Sequence, residues 1–310
     1  MRHPISCMVL ILFFVYCLCP GCHAEEDIGT LQTHRITVYF EKQLETSARE
    51  IVAIYPGVLA ELEDLLGWDL GYRPTVFLDN NRDRFEKMAG SDLFVAMAVP
   101  QKKLIIIDHS RMIHPFTLRT TLKHELCHLI LHRHIREATL PRWFDEGIAQ
   151  WTSDGLAEII MKSDRLVLNR AVLMHHYIRL EDLHRYFPRN KNALQLAYEE
   201  SKNIVEYIIR DYGVGRLLRI LYALEGGKDI DTAISDSLFI SLDELETEWL
   251  KHLRQRVSWV LLLNAYLYQI LFFLAALLLA IAGSVKLLKQ RRARLQEYED
   301  DDEDNPSGWQ

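Results

Sequence analysis

The sequence predicts an α+β fold: a mixed sheet in the N-terminal part of the main domain, a helical C-terminal part, and then one transmembrane helix. Three observations carry that expectation. Short apolar runs of strand composition lie before residue 110, helical periodicity dominates after residue 116, and no charged side chain occurs from Val257 to Val285. Strands followed by helices, with no regular alternation, is the order of α+β domains.

At the N-terminus, Arg2 and His3 precede an apolar stretch from Met8 to Leu18, shorter than the about 20 residues a membrane helix needs. Cys22-His23-Ala24 then offers a small-residue cleavage site, so residues 1–24 are expected to be a secretory signal peptide. Cleavage after Ala24 removes Cys7, Cys17, Cys19 and Cys22 and leaves Cys127, so no intramolecular disulfide is available. Stability must then come from the core, and residues 25–256 form one domain of ordinary size that can bury one. The chain is 310 residues long with a net charge of −7, and it shows no basic stripe or nucleic-acid motif. Nucleic acid is therefore not expected as a partner.

Within this domain a strand is expected near Arg35 to Phe40, helices around Pro56, a strand at Thr75 to Leu78, and strands at Leu93 to Val99 and Leu104 to Asp108 joined by Pro100-Gln101-Lys102-Lys103. Phe116, Leu118, Leu122, Leu126, Leu129 and Ile130 then fall at helical spacing, and no Gly or Pro interrupts residues 116 to 134. Pro141 opens the next helix. After a polar loop from Ser163 to about Arg179, helices are expected over Asn192 to Tyr212, Val214 to Glu225 and Ser241 to Arg256. Ser241-Leu242-Asp243-Glu244 is a capping box for the last, and Gly213, Gly226 and Gly227 punctuate the series.

Residues 257–285 are long and apolar enough to span a bilayer. Lys286, Lys289, Arg291, Arg292 and Arg294 follow directly, against Lys251, Arg254 and Arg256 on the preceding side, which favours a cytoplasmic C-terminus. Residues 286–310 are then a basic, later acidic, cytoplasmic tail, and residues 25–256 an extracytoplasmic domain. No Gly/Ser linker separates the last soluble helix from the span, so membrane-proximal partners are expected.

The chemistry is concentrated in His124-Glu125-Leu126-Cys127-His128, which spells H-E-x-x-H. Residues four apart share a helix face, so the imidazoles of His124 and His128 can address one ion. Glu125 lies about 100° round the helix, where it can reach water without ligating the metal itself, as a general base must. The pattern points to a zinc hydrolase. Two residues are open as the third ligand. His134 completes the metzincin spacing but has Leu131 where that motif needs a turning Gly, so on a continued helix it points away from the ion. Glu146 lies on the following helix. His132 reads as an exposed polar residue, and Cys127 as a small apolar filler.

Trp143-Phe144-Asp145-Glu146-Gly147-Ile148-Ala149 resembles the W-x-x-E-G-x-A segment of gluzincins, the thermolysin-like and aminopeptidase-like branch of the MA superfamily of metallopeptidases. The resemblance covers roughly Tyr72 to Leu253 and is strongest at residues 116 to 151. It implies a gluzincin-like catalytic domain with one Zn²⁺ per chain, held by His124, His128 and Glu146, with a fourth position open to water. It further implies Glu125 as catalytic base and Tyr198, in Ala197-Tyr198-Glu199-Glu200-Ser201, as donor to the oxyanion. Some gluzincins carry an Asp four residues after the ligand Glu to orient an imidazole. Gln150 stands there in this chain, a departure from that pattern, although its uncharged amide oxygen can still accept.

The implied activity is hydrolysis of peptide bonds in the cell envelope. No G-x-M-E-N segment for a free amino terminus occurs, so endopeptidase action is expected. The rival reading is a membrane-tethered binding or assembly factor that keeps the zinc fold without cleaving. An intramembrane protease is disfavoured because Lys123, Arg133 and several Thr residues surround His124.

Overall fold

The computed structural model describes residues 28–303 except 91, 114, 154–164 and 257–258. The expected signal peptide and the last residues of the tail lie outside the described residues. The chain falls into two compact units. One runs through Asp164 and resumes over Ile178–Glu246; the other takes Arg165–Tyr177 and the chain from Thr247 onward.

The first unit opens with β1 (Ile28–Gln32), β2 (Thr37–Glu41), helix α1 (Glu45–Leu66), β3 (Thr75–Asp79), helix α2 (Arg82–Ala89), β4 (Ala96–Val99) and β5 (Leu104–Asp108). The five strands form a mixed sheet in the order β1-β2-β3-β5-β4. β2, β3 and β5 are parallel, with Val38 beside Val76 and Val76 beside Ile105, while β1 and β4 run antiparallel at the edges. Parallel neighbours need long crossovers, which α1 and the α2-β4 segment provide. The inner strands TVFLD and LIIID are nearly continuous apolar runs, as strands covered on both faces require. β4 is left as an edge.

Helix α1 runs unbroken through Pro56 for 22 residues, where the sequence led us to expect separate helices around that residue. It stops at Gly67, whose φ of 71° lets its N–H close back on Glu63. Helix α2 and strand β1 are absent from the sequence expectations. β1 alternates exposed and half-buried residues and has little apolar signal. α2 buries only Phe85 and is held by ion pairs: Arg84 bonds both oxygens of buried Asp79, and Arg82 bonds buried Asp108 at 2.7 Å.

Helix α3 (Leu118–His134) follows, then α4 (Arg142–Thr152). Thr117 and Thr120 cap α3 reciprocally, so threonines that are poor for a helix interior fix where it starts. Helix α5 (Arg165–Leu173) belongs to the second unit and occupies part of the expected polar loop. Helices α6 (Lys191–Tyr212), α7 (Val214–Glu225) and α8 (Ile230–Leu238) return to the first unit, and α9 (Leu242–Arg256) begins there with Ser241 and Glu244 exchanging the expected capping bonds. Helix α10 (Trp259–Glu303) contains Tyr266–Arg291, a 26-residue stretch long and apolar enough to cross a membrane, with no side chain of its most apolar window buried.

Two buried carboxylates hold the segment that enters α6. Glu200, fully buried on α6, accepts from the Ile178 N–H at 3.1 Å, and Glu246 accepts from the Leu180 N–H at 3.1 Å. The same segment accepts the Trp143 and Arg142 N–H groups at the start of α4 through Leu183 and His184 carbonyls. Burial pushes the Glu200 carboxyl up to about 8; the Ile178 N–H opposes this and Glu246 adds to it. Its ordinary value is 4.5, so the fold holds a proton there that the unfolded chain has released. The resulting stability is complete below pH 4.5 and is lost as pH rises through about 8. Urea melts are expected to show a steeper decline across that window in wild type than in Glu200→Gln, the difference reaching up to about 1.4 kcal/mol per pH unit.

Candidate metal centre

Helices α3 and α4 meet so that three side chains converge. His124 Nε2 lies 3.2 Å from His128 Nε2, and Glu146 Oε2 lies 3.8 Å and 3.7 Å from them. All three residues are buried. The second nitrogen of each imidazole is already engaged. The Ser153 hydroxyl donates to the Ala149 carbonyl at 2.7 Å, so its oxygen accepts from His124 Nδ1 at 3.2 Å. Asp145 Oδ1 accepts from His128 Nδ1 at 2.8 Å. With the Nδ1 protons placed there, both Nε2 atoms turn lone pairs towards Glu146 Oε2, which has no hydrogen-bond partner although it is buried.

Three lone pairs facing one another in a dry site repel unless a cation lies between them. Ligands about 2.1 Å from a tetrahedral zinc lie about 3.4 Å apart, which the 3.2, 3.7 and 3.8 Å edges match. Two imidazoles and one carboxylate are also the donor set of an open zinc site. The residues therefore fit the metal.

With protons as the only cations, the charges divide as this geometry demands. Burial pushes His124 below its ordinary value. Burial acts on His128 too, but the Asp145, Glu146 and Glu125 carboxylates outweigh it and hold His128 well above. Burial likewise opposes ionisation of Asp145, yet His128 and His132 hold it well below the usual carboxylate range. Glu146 is lowered against its own burial by His124, His128 and Arg142.

Its other oxygen, Oε1, accepts from the Tyr198 hydroxyl at 3.4 Å and lies 3.6 Å from Arg142. Tyr198 is thus brought to the cluster on α6, almost fully buried, with its hydroxyl on the carboxylate of Glu146. Glu125 is fully buried on α3. Cys127 is buried as well, its thiol pushed up to about 12 by burial, which keeps it protonated and inert.

Two sequence expectations are corrected. Gln150 serves no imidazole: its amide donates to the Tyr198 carbonyl at 3.0 Å and ties α4 to α6, while Ser153 and Asp145 are the acceptors. His132 is no bland surface residue, because its Nε2 lies 2.9 Å from Asp145 Oδ2. At the last residue of α3, His134 leaves the cluster as expected, but it is not idle: it bonds Glu225 at 2.9 Å and stacks on Trp68. Asp145 was signalled only by standing next to Glu146, and Ser153 by nothing in the motif.

Gly147 explains the E-G pair physically. A Cβ there would lie 2.4 Å from the Ser201 carbonyl oxygen and 2.6 Å from Val205 Cγ2, so α4 can approach α6 this closely only through glycine. Beside the cluster lies a cleft of about 890 Å³ bordered by β4 and by His128, Asp145 and Glu146. Phe94 and Met97 line its sheet side, Arg142 and exposed Tyr186 the other.

A mixed sheet followed by helices, with an H-E-x-x-H helix and a carboxylate helix around one buried cluster, defines a zinc-peptidase-like fold. The chain belongs to the Peptidase MA superfamily, whose profile matches residues 92–255. Among solved structures it is similar to yeast LTA4 hydrolase in complex with bestatin, at 13% identity and a TM-score of 0.44, covering 75% of this chain and 38% of that one. It is also similar to a mutant of the M1 zinc metallopeptidase from Deinococcus radiodurans, at 13% identity and a TM-score of 0.39, covering 72% of this chain and 50% of that one. No curated protein matches the chain.

Proposed function

We propose that the protein is a zinc-dependent endopeptidase of the cell envelope, tethered to the membrane by its C-terminal helix. The observation that carries this reading is the convergence of His124 Nε2, His128 Nε2 and Glu146 Oε2 in a buried site, with separations of 3.2, 3.8 and 3.7 Å that suit three ligands of one divalent cation. When bound, zinc acts as a Lewis acid that polarises a carbonyl and acidifies water.

The chain's own residues supply the rest. His124 and His128 bind through Nε2, with their tautomers set by Ser153 and Asp145. Glu125 takes a proton from the attacking water on its carboxylate and later delivers it to the leaving amine. Tyr198 serves Glu146 at rest and donates to the developing oxyanion when substrate fills the cleft. The outer edge of β4 offers main-chain groups to an extended peptide, a mode that favours backbone recognition over side-chain stringency.

In this reading residues 1–24 are a signal peptide, residues 25–256 the extracytoplasmic domain, residues 257–285 the span, and residues 286–310 the cytoplasmic tail. The apolar stretch within Tyr266–Arg291 and the cations that follow it support the orientation. Substrates are peptides or proteins close to the bilayer. In intact cells, an epitope on the tail is expected to resist external protease while the domain is digested; a digested tail would reverse the topology.

Zinc content and turnover of a quenched-peptide library, measured together on the full-length protein in detergent micelles, test the activity. Wild type is expected to bind one zinc and cleave, and Glu146→Gln to lose both. Zinc-loaded wild type without turnover, unaltered in any property by Glu125→Gln, would establish the non-cleaving scaffold instead.

A further inference from the structure

We infer that His132 and Asp145 form a positioning pair that fixes His128 as a ligand and keeps Asp145 itself off the cation; the inference rests on the zinc reading above. Helix α3 carries His124, His128 and His132 four residues apart, hence on one face. Eight residues of helix rise about 12 Å, so the third imidazole stands too far along the axis from His124 to share an ion with both of the others. It reaches α4 instead. His132 Nε2 lies 2.9 Å from Asp145 Oδ2, while His128 Nδ1 lies 2.8 Å from Asp145 Oδ1. Successive rungs of one helix thereby occupy both oxygens of one carboxylate.

Two consequences follow for the metal centre. First, a carboxylate held at both ends cannot rotate away from His128, so the Nδ1 proton stays on that side and the Nε2 lone pair stays aimed at the cluster. Second, Asp145 directly precedes Glu146 and competes with it as a carboxylate for the same cation. Asp145 is oriented by an imidazole at each oxygen, whereas Glu146 Oε2 is buried without a hydrogen-bond partner and turned towards both Nε2 atoms. His132 is therefore what makes the neighbouring Asp an orienting group and the Glu a ligand. Because His132 also lines the cleft, a bound peptide borders this pair.

The test is zinc affinity of the full-length protein in micelles, by competition with a chromophoric chelator, for wild type, His132→Leu, His132→Gln, Asp145→Asn and Glu146→Gln. Loss of an orienting partner typically weakens metal binding about 10–100-fold, the effect expected for His132→Leu and Asp145→Asn. His132→Gln keeps a donor for Asp145 and is expected to restore most of the affinity, which a purely space-filling role would not predict. Metal-free melting of the two His132 variants should be alike, showing that the difference lies in the metal and not in folding. Equal losses in His132→Leu and His132→Gln, or wild-type affinity in His132→Leu beside a collapse in Glu146→Gln, would overturn the pair alone. Wild type that binds no zinc would overturn the pair and the zinc reading together.

Discussion

Glu125→Gln is expected to leave zinc bound one to one while lowering kcat by about 10²- to 10⁴-fold, the range for loss of a general base. The substitution is nearly isosteric, so the fully buried position on α3 keeps its packing. The three proposed ligands are untouched. What disappears is an acceptor for the water proton, and no other carboxylate of the cluster can replace it. Both oxygens of Asp145 are bonded to imidazoles, and Glu146 turns Oε2 to the cation site with Oε1 on Tyr198. The measurement is steady-state hydrolysis of the best library peptide with zinc content determined on the same sample. Unchanged kcat would remove Glu125 from the reaction, and lost zinc would make it a ligand.

Gly147→Ala is the second variant with a large expected effect, and here the sign is informative. In an exposed helix interior the change stabilises by about 0.5–1 kcal/mol, because glycine loses more backbone freedom on folding. At this position the added methyl meets the Ser201 carbonyl at 2.4 Å, a backbone atom that cannot rotate aside. α4 must therefore move off α6, at an overpacking cost of about 1–3 kcal/mol. The displacement carries Glu146, one residue earlier, away from Tyr198 and from both imidazoles. Zinc affinity and thermal stability should fall together, with a melting temperature lower by several degrees at about 2–4 °C per kcal/mol. A stabilised Gly147→Ala protein with intact zinc affinity would show that the helices do not need this close approach.

The fold was legible where a periodic pattern spans many residues. The 17 residues of α3 and the 22 of α6 announce themselves through repeated apolar positions, and β3 and β5 through runs that only a strand covered on both sides can use. Elements that depend on side-chain or strand partners rather than on their own apolar periodicity were not legible. Helix α2 depends on Arg84 reaching Asp79 and Glu41, and β1 on pairing with β2, neither of which a local pattern reveals.

The site divides in the same way. His124, His128 and Glu146 stand in motifs because helix geometry fixes their spacing, and the structure brings their donor atoms within 4.8 Å of one another. Their orienting groups obey no such spacing. Ser153 meets His124 across 29 residues, and Asp145 meets His132 across 13, through contacts that exist only once α3 and α4 pack. Gln150 shows the converse: it stands where some gluzincins carry an orienting Asp, yet its side chain turns to the backbone of α6.

The most direct test of the central claim is anomalous diffraction at the zinc edge from crystals of the zinc-loaded protein. One peak is predicted, about 2.1 Å from His124 Nε2, His128 Nε2 and Glu146 Oε2. No peak there, or a peak bound by His132 and Asp145 instead, would contradict it.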